Sequence, residues 1–198
     1  GNFSEAERLR RECLAISREI GDKFGEQTDL KNLSLIIERT DSFEAERLQR
    51  EALAIARELG DRQGEASFLS TLGGTLHNRG DIPEAERLQR ESLAIFKEVG
   101  DRNGETGSLI TLGMISRKKG NLREAEQLLL EALFLSREFG YRMAEAKSLG
   151  VLGTITEELG DLSKAEILFR EGLDVSREIG DRQGECDILY DLGRLSQK

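Results

Sequence analysis

The dipeptide Gly-Asp recurs at Gly21-Asp22, Gly60-Asp61, Gly100-Asp101 and Gly180-Asp181, with Gly140-Tyr141 in the same series. Successive glycines are 39, 40, 40 and 40 residues apart. A second marker keeps step: Glu-Ala-Glu begins at Glu5, Glu44, Glu84 and Glu124, and Lys-Ala-Glu at Lys164. No other feature restricts the fold as much. A fixed period of this length belongs to chains that stack one small unit on the next, because a single unit cannot bury its apolar face alone. The hexapeptide GDRQGE at 60–65 and again at 180–185 is therefore one kind of boundary seen three periods apart.

Each period carries two helical patterns. Leu69, Leu72, Gly73 and Leu76 fall at i, i+3, i+4 and i+7, one face of a helix from Arg62 to Arg79. Asp61 is placed to cap its start, and Gly80 to end it in the left-handed conformation. Pro83 sits in the first turn of the next helix, where its missing N–H has no intrahelical acceptor anyway. That helix is expected over 83–99, with Ala85, Leu88, Ser92, Phe96 and Val99 inward. The pairs Glu86/Arg90 and Arg87/Glu91 at i, i+4 mark its solvated side.

The period lines residues up in columns. Leu30, Leu69, Leu109, Leu149 and Leu189 form one, and Leu33, Leu72, Leu112, Leu152 and Leu192 another. Two columns are small: Ser34, Gly73, Gly113, Gly153 and Gly193 in the first helix, and Cys13, Ala52, Ser92, Ala132 and Gly172 in the second. A mid-helix glycine costs about 1 kcal/mol against alanine. The small columns are therefore expected to face one another where the helices of a pair cross.

The phase of the markers gives an unpaired second helix over 3–20, units at 22–59, 61–99, 101–139 and 141–179, and an unpaired first helix over 182–197. This is a single all-α array of ten helices. The junction Arg39-Thr40-Asp41-Ser42 lacks the usual glycine and is one residue short, so its turn is expected to be the least regular. Leu9, Ile16 and Ile20 at one end, and Leu189, Leu192 and Leu195 at the other, are expected to be incompletely covered. The chain is read as a piece of a longer array. Head-to-tail stacking of copies through these ends is expected at high concentration, since Lys198 joined to Gly1 nearly regenerates a boundary.

Composition narrows the function. A net charge of −9 argues against general nucleic-acid binding and against an anionic membrane surface. No apolar run approaches the roughly 20 residues that span a bilayer. Cys13 and Cys186 fall in small-residue columns and read as packing residues of a protein in a reducing, cytoplasmic setting. Catalysis needs unlike groups converging on one point, whereas carboxylates such as Glu84 and Glu86 repeat in every unit. His77 is the single histidine, without metal-ligand spacing around it, and no Gly-Lys-Ser/Thr loop follows the glycines. The expectation is a non-enzyme with no metal and no cofactor.

The unit Leu69-x-x-Leu72-Gly73-x-x-Leu76, followed by Ala85 and Ser92-Leu93, resembles the tetratricopeptide repeat. The 40-residue form with its GDRxGE boundary looks like the longer variant found in Pins-type scaffolds, kinesin light chains and bacterial signalling proteins. That resemblance implies a right-handed superhelical solenoid whose first helices line a concave groove. It puts these residues on the groove: Lys31, Arg39, Ser70, Gly74, His77, Asn78, Ile110, Met114, Arg117, Lys118, Lys147, Thr154, Glu157, Tyr190 and Arg194. Relatives that grip extended peptides place Asn directly after Leu-Gly. Here that place holds Leu35, Gly74, Met114, Thr154 and Arg194, so the scheme does not carry over. The carboxylate clamp of chaperone-binding relatives is not assembled either. His77, Asn78, Arg117 and Lys118 leave the middle of the groove neutral to basic, which suits an acidic or C-terminal peptide. The implied function is a protein–protein interaction scaffold. The alternative is a regulatory or sensor segment of a larger bacterial signalling ATPase or transcription regulator.

Overall fold

A computed structural model describes residues 3–38 and 40–197. Among the described residues it is all helix: α1 (Phe3–Glu19), α2 (Lys23–Ile37), α3 (Ser42–Leu59), α4 (Arg62–Arg79), α5 (Ile82–Val99), α6 (Arg102–Lys118), α7 (Leu122–Phe139), α8 (Arg142–Glu158), α9 (Leu162–Ile179) and α10 (Arg182–Leu195). They form two compact units, Gly1–Val99 and Gly100–Lys198. In the first, each helix from α1 to α5 packs on the next in the chain. In the second, α6 to α10 do the same, and α6 also packs on α8 and α8 on α10. Each unit is thus a stack of helix pairs, the arrangement of a tetratricopeptide-type solenoid.

Except after α2 and α10, the helix stops are glycines with positive φ, from Gly21 at 72° to Gly180 at 71°, and no other described residue has positive φ. The capping residue follows. Oδ1 of Asp22, Asp61, Asp101 and Asp181 accepts the N–H of Gly25, Gly64, Gly104 and Gly184 at 2.8–3.0 Å. This explains the second glycine of the boundary. A Cβ built on Gly25, Gly64 or Gly184 would lie 2.9, 2.7 or 3.0 Å from the carboxyl carbon of its capping aspartate. Where Tyr141 replaces the aspartate there is no side-chain cap, and Ala144 takes the glycine's place.

The last residue of the hexapeptide ties the stack together. Glu26, Glu65, Glu105 and Glu145 are buried at the starts of their helices. Arg57 on α3 donates to Glu65 on α4 at 2.7 Å and to Glu91 on α5 at 2.6 Å, while Arg62 pairs with Glu65 and, at 2.8 Å, with Glu98. The same rung recurs as Arg18 with Glu26 and Glu51, and as Arg137 with Glu145 and Glu171. Burial alone would raise the pKa of Glu65, but hydrogen bonds from Arg57 and Arg62 outweigh it and hold the carboxyl below its ordinary value.

The junction at Thr40 is built without glycine. The backbone N–H groups of Thr40 and Asp41 both donate to the Ile37 carbonyl, at 2.9 and 2.7 Å, and the Thr40 hydroxyl donates to the same oxygen at 3.0 Å. Asp41 then accepts two N–H groups, from Phe43 and Glu44. Arg39 lies outside the described residues.

The leucine columns are buried within the stacks: Leu30, Leu69, Leu109 and Leu149 have no exposure at all. Each such side chain contributes about 1.5–3 kcal/mol when fully buried. The small columns do allow close approach, but they do not face one another. Gly113 is met by Leu129, whose Cγ would be 2.7 Å from a Cβ, and Gly153 by the Phe169 ring. Ser92 instead hydrogen-bonds the Ala66 carbonyl at 2.8 Å, and Gly172 packs on Ala146 and Leu149. Two offset contacts, rather than one crossing point, hold each pair. The two cysteines are also corrected: both are exposed. Their column partners are buried because a neighbouring helix covers them, and among the described residues α1 and α10 each have a helix on one side only.

Candidate partner-binding face

In the second unit the first helices of successive pairs, α6, α8 and α10, lie side by side. A hollow of about 380 Å³ opens over them. The helical period puts Met143, Lys147, Gly150, Val151 and Thr154 on one stripe of α8. Met114 and Arg117 reach it from α6, and Asp187, Ile188 and Asp191 from α10. Met143, Val151 and Ile188 supply an apolar floor. Cations stand on one side and carboxylates on the other.

The charges are not equally available. Arg117 donates to Glu158 at 3.1 Å. Asp187 accepts from Gln183 at 2.8 Å, and Asp191 from Arg194 at 3.1 Å. Lys147 is exposed and makes no ion pair among the described residues. No histidine or cysteine lines the hollow. No group of three His, Cys, Asp or Glu among the described residues is placed to hold a metal ion.

The groove positions expected from the resemblance do not all meet in one place. Met114, Arg117, Lys147 and Thr154 come together in this hollow. Ile110 and Glu157 are both buried, and Ile110 lines, with Gly107, Met143 and Lys147, a second hollow of about 380 Å³ on α6 and α8. Glu157 takes both guanidinium nitrogens of Arg194, each at 2.6 Å, and Glu157 and Asp191 together hold Arg194 above its usual pKa. Tyr190 is exposed, but it lies beside Cys186 and Leu189 and does not line the hollow. Lys118 is exposed at the end of α6.

In the first unit Lys31 reaches Ser67 at 3.3 Å and stands 6.0 Å from the Phe68 ring centre. Ser70 is engaged by Gln89, whose amide donates to its carbonyl at 2.7 Å. Gly74 faces open space, His77 is half-buried and Asn78 exposed. Sequence reasoning passed over the floor residues Met143 and Val151. Met143 carried a signal, since with Phe24 it is apolar in a column that otherwise holds Gln63, Asn103 and Gln183.

Among the described residues no helix is long and apolar enough to cross a membrane. No curated protein sequence matches the chain. Among solved structures it is similar to BtubC (BKLC) from P. vanneervenii, with 18% identity over 100% of this chain and 92% of that one and a TM-score of 0.76. It is also similar to a signal transduction ATPase with numerous domains (STAND) from Pyrococcus horikoshii that has a tetratricopeptide repeat sensor, with 21% identity and a TM-score of 0.78. There it covers 95% of this chain but only 29% of the other. A Rap protein complexed with competence and sporulation factor matches at 16% identity over 99% of this chain and 59% of that one, with a TM-score of 0.71. At these identities the likeness is one of fold. The sequence profile of the tetratricopeptide repeat matches residues 30–98 and 105–178, most of the chain, and so the chain belongs to the tetratricopeptide repeat family.

Proposed function

We propose that this chain is a protein-interaction repeat domain that binds a segment of a partner protein in the hollow over α6, α8 and α10. The observation that carries this reading is Lys147, a cation with no ion pair among the described residues, at the edge of an apolar floor. Pockets that bind selectively combine such a floor with a few placed polar groups. The favoured ligand is an acidic peptide with an apolar side chain near its carboxylate. Selection of a random peptide library on the chain should enrich such a motif, and Lys147→Glu should abolish the enrichment while leaving the fold intact. Equal enrichment by the charge-reversed variant would overturn the reading.

A second reading is a sensor or regulatory segment of a larger protein. It draws on the likeness to the STAND protein, whose chain extends far beyond the match. Its discriminator is an ATPase or DNA-binding domain in the same gene.

A further inference from the structure

Two helices of the second unit carry apolar side chains where the repeat elsewhere places charge. Leu130 and Phe134 on α7 are 50% and 64% exposed, and Ile167 on α9 is 66% exposed. In the repeat register Leu130 shares its column with Arg11, Arg50, Arg90 and Arg170. Each of those arginines pairs with the glutamate four residues before it: Glu7, Glu46, Glu86 and Glu166. On α7 the glutamate is kept as Glu126, but a leucine stands in the arginine's place. Ile167 likewise shares its column with Arg8, Arg47, Arg87 and Gln127, and Phe134 with Ala15, Ala54, Ala94 and Asp174. Both helices are flanked on two sides, α7 by α6 and α8, and α9 by α8 and α10.

The three side chains form one patch. Lys164 reaches Glu126 at 3.4 Å, and Arg137 reaches Glu171, so α7 and α9 run side by side in the same direction. Leu130 and Phe134 lie between Glu126 and Arg137 on α7, and Ile167 lies between Lys164 and Glu171 on α9. Leu130 follows Glu126 by four residues and Ile167 follows Lys164 by three, so each is turned toward the other helix. Charge is unevenly spread around them. Arg123 and Lys164, both exposed, share the single carboxylate of Glu126 where the two helices begin. Glu138 and Asp174, exposed and without an ion pair among the described residues, stand where the helices finish.

We propose that two copies of this chain meet through the Leu130–Phe134–Ile167 patch across a two-fold axis. The axis runs crosswise to the helices, so that α7 of one copy lies antiparallel against α7 of the other, and α9 against α9. The apolar side chains then cover one another, and Arg123 and Lys164 of each copy come opposite Glu138 and Asp174 of its partner copy. An isologous contact requires a surface that is its own complement. An apolar centre with cations at one end and carboxylates at the other meets that requirement in the antiparallel setting, whereas a parallel setting opposes like charges. Such a contact closes at two copies. It does not involve the hollow over α6, α8 and α10. Three side chains make a small apolar centre, so the dimer is expected to be weak.

Sedimentation equilibrium of the 198-residue chain from micromolar to millimolar concentration tests this. The weight-average mass should rise from 22.1 kDa toward twice that value. Leu130→Arg and Ile167→Arg each install the residue that other repeats carry at that place, so the melting transition should be kept. Each should raise the dissociation constant of the dimer at least about tenfold. Arg123→Glu with Lys164→Glu should hold the chain monomeric, and so should Glu138→Lys with Asp174→Lys. An equimolar mixture of these two charge variants should dimerise again, because opposite charges then meet at both ends. If a charge variant loses its melting transition, Leu130→Arg and Ile167→Arg decide the matter. A mass fixed at the monomer value at millimolar concentration would overturn the proposal and assign the patch to a different protein. Association that Leu130→Arg and Ile167→Arg leave unchanged would also overturn it, as would a mixture of folded charge variants that stays monomeric.

Discussion

The boundaries before α4 and α8 do one job with different chemistry. At Gly60–Glu65 an aspartate caps the helix, and the glycine three residues on has no side chain to obstruct the carboxylate. At Gly140–Glu145 both are gone together. Tyr141 gives no cap hydrogen bond, its ring stacks on Phe139 with centroids 5.9 Å apart, and Ala144 stands where glycine would be. What both boundaries retain is the arginine–glutamate rung: Arg57, Arg62 and Glu65 in one, Arg137, Arg142 and Glu145 in the other. At these two boundaries aspartate and glycine are exchanged together, whereas Asp41 and Asp161 cap the N–H groups of Glu44 and Lys164, which carry side chains. The glutamate is a separate element that ties one helix pair to the next.

The strongest way to break this comparison is Gly64→Ala. Helix propensity alone predicts a gain of up to about 1 kcal/mol. Coupling of the two residues predicts the opposite sign. The new methyl group displaces the Asp61 carboxylate, so the cap is lost at about 0.5–2 kcal/mol. The hydrogen bond from Gln27 to Asp61, 2.9 Å long, is lost with it. A net destabilisation of about 1–2 kcal/mol is expected by urea unfolding. Stabilisation would show that Gly64 and Asp61 are independent.

A double-mutant cycle at the other boundary sharpens the same point with a smaller effect. Ala144→Gly alone should cost about 1 kcal/mol, because no cap is there to gain. Tyr141→Asp alone places a carboxylate against the Ala144 methyl and loses the stacking on Phe139. Together they recreate the Asp–Gly pair, and a favourable coupling of about 1 kcal/mol is expected. Additive single effects would mean that the aspartate caps α8 whether or not the glycine is present.

These particulars show what the sequence makes legible. The period, the helix stops and the leucine columns are local or strictly repeated, so spacing alone reveals them. Asp61 as a cap is equally local. The role of Gly64 is not, because its reason is an excluded volume seen only when the cap is built. Glu65 was passed over because its partners Arg57 and Arg62 belong to different helices, and Arg57 in turn reaches Glu91 on a third. The burial of Ile110 and Glu157 was illegible for a related reason. A helical wheel tells which side a residue is on, but not whether the next first helix closes over that side. Cys13 and Cys186 failed the other way, since a column of small residues is buried only where a neighbour exists.

The smallest expected effect concerns the glutamate common to both boundaries, and it can be read at Glu65 by varying pH. Its carboxyl is held below the ordinary value by Arg57 and Arg62 despite burial. A carboxyl depressed in the folded state binds fewer protons there than in the unfolded chain. Its contribution is therefore complete above the ordinary carboxylate value of about 4.5 and is lost as pH falls through the lower folded value. Both arginines are nearly half exposed, so solvent screens the rung and the contribution is modest. Unfolding free energy should decline between neutral pH and pH 3, and Glu65→Gln should flatten part of that decline while lowering stability at pH 7. The variant at the capped boundary and Glu145→Gln at the uncapped one should lose similar stability at pH 7, because the rung at each does not involve residue 61 or 141. A clear loss at one boundary and none at the other would show that the rung depends on the cap beside it.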